Sequence, residues 1–216
     1  MNIHSFTFNP FQENTYLLYD QTKECVIIDP GCFDDSERNE LTRFIDSQKL
    51  KPVLLLNTHA HIDHMLGNAF VKSTYNIPFM MHEKDLVILH AAPAIGKNYG
   101  FMVIPSPEPD KLIDETDVIK FGTTELKIFF TPGHAPGEIS FYHHETKTLI
   151  AGDVLFEGSI GRYDFPNSNY EDLMQSIVQK FMTLDDDVRV FPGHGNTTTI
   201  GRERRSNPFL LEYLQS

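Results

Sequence analysis

Five histidines and two aspartates carry the chemistry open to this sequence. Four of the seven fall in the run His59-Ala60-His61-Ile62-Asp63-His64, and His134, Asp153 and His194 follow singly, each beside a glycine. Imidazole nitrogens and carboxylate oxygens are the donors that zinc takes, and iron or manganese accept the same set. The run follows Val53-Leu54-Leu55-Leu56, an apolar stretch with the length of a buried strand. Alternate side chains of an extended backbone share a face, so His59 and His61 are expected to reach one ion. Asp63 and His64, at the start of a helix, turn toward a second. Ions held by nitrogen and carboxylate donors with a position left open make a catalytic centre, not a closed structural one. Two of them about 3.5–4 Å apart polarise a shared water, and one zinc alone brings the pKa of bound water to about 7. Ester-like carbonyls are natural targets of the resulting hydroxide.

Apolar runs at 15–19, 25–28 and 53–56 lead to this motif as strands, with an amphipathic helix over 36–48. Further strands are expected at 77–81, 118–121, 126–130, 139–143, 148–151 and 188–191, and a helix at 170–184. The ligand candidates fall just after strands. Many strands and few, separated helices predict the α+β class, an αββα sandwich of two mixed sheets packed face to face with helices outside. Without linkers, repeats or low-complexity tracts, residues 1–216 are expected to form a single domain. Residues 91–110 carry Pro93, Pro105, Pro107 and Pro109 with Gly96 and Gly100, which predicts interrupted structure there. That segment reads as a surface connector or a lid, its Tyr99, Phe101 and Met102 being the side chains that would face a substrate.

Lys and Arg total 18 against 30 Asp and Glu, a net charge of −12, and no basic cluster is dense enough to track a phosphate backbone. Nucleic acid is therefore not expected as a partner, and two divalent ions would offset part of the acidic excess. No stretch has the length of a membrane span and the N-terminus lacks the pattern of a signal peptide, so a cytoplasmic location is expected. Cys25 and Cys32 are too few for a disulfide framework. His4, His82, His90, His143 and His144 form no second cluster and are assigned surface or packing roles.

The seven candidates are accompanied by Thr131-Pro132-Gly133-His134, Gly152-Asp153-Val154-Leu155-Phe156, the stretch 158–166 around Gly161-Arg162-Tyr163-Asp164-Phe165-Pro166, and a tail at 198–211 containing Asn207-Pro208-Phe209. Together these resemble the metallo-β-lactamase superfamily, and within it the glyoxalase II-like branch of hydroxyacylglutathione hydrolases. The resemblance implies one metal on His59, His61 and His134, a second on Asp63, His64 and His194, and a bridge through Asp153. It implies zinc, with iron or manganese as alternatives, and hydrolysis of a small-molecule thioester such as S-lactoylglutathione. Asp63 and Asp153 are then the catalytic carboxylates, Asp63 orienting the nucleophile or accepting its proton. A thiol with a pKa near 8.5 leaves without the protonation an amine needs. Arg162 stands where larger relatives place a glutathione-contacting lysine, which makes it a candidate substrate contact. The helical C-terminal domain with which those relatives hold glutathione is not expected here, leaving the thiol part of the substrate open. Persulfide dioxygenases resemble the same pattern and imply a single iron on His59, His134 and Asp153. A non-enzymatic metal-binding module is a third reading. Common metallo-β-lactamases carry a cysteine in place of Asp153 and flavodiiron proteins a glutamate in place of His61, which disfavours both.

Overall fold

The structure, a computed structural model, describes residues 1–100 and 102–215. The chain falls into two compact units, Met1–Ile113 with Ile119–Glu125, and Asp114–Val118 with Leu126–Ser216.

In the first unit, β1 (Asn2–Phe8), β2 (Glu13–Tyr19), β3 (Glu24–Ile28), β4 (Lys51–Leu56), β5 (Phe79–Met81) and β6 (Lys111–Leu112) form one sheet in sequence order. β1 to β3 are antiparallel, whereas β3 to β6 run parallel. Parallel neighbours require crossovers. These are α1 (Asp35–Gln48), then α2 (Ile62–Met65) with α3 (Asn68–Tyr75), then α4 (Leu86–Asn98). Val26, Ile27, Ile28, Leu54, Leu55 and Leu56 are all buried, the continuous burial that central parallel strands need. The carboxyl of Asp34 caps α1 at the N–H of Glu37, and Lys49 in left-handed conformation ends the helix.

A second sheet has the order β7 (Val118–Phe121), β8 (Thr124–Phe130), β9 (Ile139–His143), β10 (Thr148–Gly152), β13 (Arg189–Pro192), β14 (Thr198–Thr199). Between β10 and β13 lie the two-residue strands β11 (Leu155–Phe156) and β12 (Ser159–Ile160), and then α5 (Tyr170–Ser176), which continues as a π-helical turn (Ile177–Phe181). β10 pairs antiparallel with β9 and parallel with β13. α6 (Ile200–Ser206) and α7 (Pro208–Tyr213) follow. Leu149, Leu173, Ile177, Phe181, Val190 and Leu210 are buried in one apolar cluster of this unit.

Two mixed sheets with helices are the α+β architecture expected from the sequence. One expectation requires correction. Structure is not interrupted from residue 91: α4 runs through Pro93 to Asn98. A proline there removes a single helical hydrogen bond, and burial of Ile88, Leu89, Ala92 and Gly96 along one face offsets the loss. Irregular backbone begins at Tyr99; Phe101 lies outside the described residues. Cys25 and Cys32 are free and buried, and burial pushes both thiols up to about 12. Among the described residues no helix is long and apolar enough to cross a membrane.

Candidate metal centre

In the first unit β4 ends at Leu56, and the chain leaves it through Asn57 and Thr58 to His59. His61 has extended backbone immediately before α2, whose first turn carries Asp63 and His64. The rings of His59 and His61 stand 4.8 Å apart, and those of His59 and His64 4.1 Å. Asp63 Oδ2 is 3.8 Å from His64 Nε2. The run thus places these four side chains after a strand end and at a helix start.

Which nitrogen of each ring can bind a cation is decided by Asp29, at the end of β3. One carboxylate oxygen accepts from the Thr58 N–H (2.7 Å) and the Asn57 amide (3.2 Å). The other accepts from the Thr58 hydroxyl (2.6 Å) and from His64 Nδ1 (3.2 Å). A hydroxyl has one proton. Having given it to Asp29, Thr58 Oγ1 can only accept from His59 Nδ1, 3.0 Å away. Both imidazoles are therefore Nδ1–H tautomers whose lone pairs lie on Nε2, the arrangement of a metal-binding histidine held by a carboxylate partner. The Asp85 carboxylate accepts from the Ala60 N–H (2.8 Å), and the Asn9 amide donates to the carbonyl of Asp63 (3.0 Å), so the run's backbone is held as well. Glu13, fully buried nearby, has its carboxyl pushed well above the ordinary range by desolvation, against the opposing pull of His64.

The other three candidate donors lie in the second unit. His134 follows β8, Asp153 follows β10 and His194 follows β13. Asp153 Oδ2 lies 3.5 Å from His134 Nε2 and 3.5 Å from His194 Nε2. Two atoms bound about 2.0–2.2 Å from one zinc at the tetrahedral angle stand about 3.3–3.6 Å apart. One oxygen at that distance from two imidazoles has the spacing of a shared carboxylate ligand. His134 Nδ1 donates to the carbonyl of Arg162 at 2.8 Å, which again leaves the lone pair on Nε2. The Asp153 N–H donates to Glu138 (2.7 Å). Gly161 lies so close beneath that a Cβ there would overlap the Asp153 carbonyl oxygen.

Burial is graded across the donors. His59, His64, His134 and Asp153 are buried, whereas His61, Asp63 and His194 are half-buried. Arg162 contributes its carbonyl, while its exposed side chain is held by both oxygens of Asp164 at 2.9 Å and lies 4.2 Å over the Phe165 ring. The remaining histidines take other roles; His4 stacks on Phe44, and His90 pairs with Glu108. Asp29 and Asp85 were not anticipated from the sequence. Asp29 carried a usable signal, a carboxylate closing an apolar strand just as Asp153 does; Asp85 sits in Glu83-Lys84-Asp85, which reads as a charged turn.

The family model described as the metallo-beta-lactamase superfamily matches residues 8–194. The chain belongs to this superfamily. Its relatives include the hydroxyacylglutathione hydrolase GloC of Haemophilus influenzae, 39% identical over 97% of this chain and 98% of that protein. Among solved structures, the B3 metallo-beta-lactamase BLEG-1 matches with a TM-score of 0.89 and 36% identity, over 97% of this chain and 99% of that one. TTHA1623, crystallised in a di-iron-bound form, matches with a TM-score of 0.86 and 35% identity, over 96% and 100%. The chain has the metallo-β-lactamase fold, and membership of the superfamily with its His and Asp donors makes it a metal-binding hydrolase.

Proposed function

We propose that the two sets of donors jointly hold two divalent ions, zinc in the first instance, and that the protein hydrolyses a small acyl thioester of the hydroxyacylglutathione kind. His59, His61 and His134 would hold one ion, Asp63, His64 and His194 the other, and Asp153 both. The reading is carried by the shared 3.5 Å spacing of Asp153 Oδ2 to two imidazoles whose unit also fixes the His134 lone pair. It is supported by the likeness to GloC. When bound, the ions supply Lewis acidity and lower the pKa of water. Asp63, half-buried, would orient the attacking water and take its proton. A thiolate leaving group needs no general acid.

For the substrate's apolar part we assign Tyr99 and Phe11. Their rings meet edge to face at 5.5 Å, Tyr99 is 53% exposed, and the Asn9 side chain ties the turn bearing Phe11 to the Asp63 backbone. Arg162 would meet an anionic group, in competition with Asp164.

The likeness to BLEG-1 favours one competing reading, hydrolysis of a β-lactam amide. Amide nitrogen leaves poorly without protonation, which is why thioesters take precedence here. Metal-replete protein should be assayed on S-lactoylglutathione and other acyl thioesters, on a chromogenic cephalosporin, and on glutathione persulfide in an oxygen electrode. Thioester turnover is expected to dominate. Turnover confined to the cephalosporin, or oxygen uptake with persulfide, would replace the proposal.

A further inference from the structure

The C-terminal tail is a sequence motif to which hydrolysis assigns no part. Two of its polar residues, Glu203 and Asn207, are fully buried. Burying such groups is costly unless their hydrogen bonds are satisfied, so their partners indicate what the tail is for. Glu203 Oε2 accepts from the Gly158 N–H at 2.8 Å and from Asn207 Nδ2 at 2.9 Å, while its other oxygen accepts from the Thr198 hydroxyl. Asn207 Nδ2 also donates to the Ser159 carbonyl at 3.0 Å, and Asn207 Oδ1 accepts from Phe209 N–H to cap α7. A tail that only covered the core would need apolar side chains here, as it has at Ile200 and Leu210. Instead, two buried polar side chains hold two consecutive backbone groups of another segment.

That segment is the tip of the hairpin β11–β12, paired Leu155 to Ile160 and Phe156 to Ser159. The hairpin leaves directly from Asp153 and returns through Gly161 to Arg162, the residue whose carbonyl holds His134 Nδ1. One turn of α6 reaches the third donor as well. Arg202 pairs with Glu157 beside the hairpin tip, and the other Glu157 oxygen accepts from Asn196 at 2.9 Å, two residues beyond His194.

We propose that Glu203, Asn207 and Arg202 are positioning residues that fix the placement of Asp153, His134 and His194 by clamping the hairpin tip and the His194 loop. The proposal rests on the reading of those three as metal ligands. Asn207→Asp is the informative variant: it keeps the oxygen that caps α7, removes both donations from Nδ2 and sets a second carboxylate beside Glu203. Leu210→Ala, an apolar truncation in the same tail, is the control. In metal-free protein labelled with nitrogen-15, Asn207→Asp is expected to shift or broaden the His134 Nδ1–H resonance. Zinc affinity, measured by competition with a chromophoric chelator, is expected to fall about 10–100-fold. Leu210→Ala should lower the melting temperature and change neither readout. If Asn207→Asp lowers only the melting temperature, as the control does, the clamp is overturned. Should Asn207→Asp not fold, exposed Arg202→Met decides the matter: a shifted His194 imidazole resonance supports the clamp, and an unchanged one overturns it. Wild-type protein that binds no zinc would sink the functional reading instead, because the imidazole signals of metal-free protein report the clamp on their own.

Discussion

Asp29→Asn tests whether one carboxylate sets the lone pairs of two metal-binding histidines. The oxygen facing Thr58 N–H and the Asn57 amide meets two donors that cannot reverse. The amide nitrogen that the substitution introduces must therefore take the place of the oxygen that faces the Thr58 hydroxyl and His64 Nδ1. Both of those partners can reverse. The hydroxyl would accept from the new amide and turn its proton to His59 Nδ1, 3.0 Å away, driving that ring's own proton to Nε2. His64 would switch in the same way, and each ring would then present N–H where a cation needs a lone pair. Restoring one Nδ1–H tautomer sets two buried donors face to face and leaves one unsatisfied, about 1–3 kcal/mol. Changes to such partners of metal-binding histidines typically cost about 10–100-fold in affinity. We expect zinc binding to weaken by at least that factor in chelator competition, with the metal-free protein still folded in a thermal melt. Nitrogen-15 shifts of the two imidazoles should report Nε2–H forms. Affinity within about threefold of wild type, with both rings still Nδ1–H, would show that Asp29 does not set the two tautomers.

Gly161→Ala would drive a methyl group into the Asp153 carbonyl oxygen, so hydrolysis and metal content should both fall at least about tenfold when purified variants are compared. Arg162→Ala should raise KM for an anionic thioester about threefold and leave kcat little changed, because Asp164 already neutralises the guanidinium; an unchanged KM removes the side chain from the site. Asp20 is buried, which alone would raise its pKa, but hydrogen bonds from Thr22 and Thr123 prevail and hold its carboxyl well below the usual range. Its stabilisation is thus complete above the unfolded value of about 3.9 and is lost as pH falls through the acid range. Asp20→Asn should cost about 1–3 kcal/mol at pH 7, and its urea midpoint should begin to approach that of wild type only as pH falls below about 4.

The donors were legible because strand and helix periodicity act over a few residues: His59, His61, Asp63 and His64 are separated by the steps that put side chains on chosen faces. The lone donors after β8, β10 and β13 were legible through the glycine beside each. What escaped was whatever depends on partners far along the chain. Asp29 is marked as a carboxylate closing an apolar strand, but its ring partner lies thirty-five residues later, and nothing around Glu203 points to the backbone of Gly158. Helix α4 escaped for a different reason. A proline signal is local, whereas the burial of Ile88, Leu89 and Ala92 that overrides it is settled by packing. The sequence marks Arg162 by its side chain, yet the bond that matters to His134 is made by its carbonyl, which no residue type encodes.

The proposed hydrolysis requires a paired metal centre. Protein stripped by chelator should be titrated with zinc while bound metal and S-lactoylglutathione hydrolysis are followed together. Saturation at two ions per chain, with turnover rising as they bind, is the predicted result. Saturation at a single ion, or hydrolysis that is undiminished in the stripped protein, would rule out a paired catalytic centre.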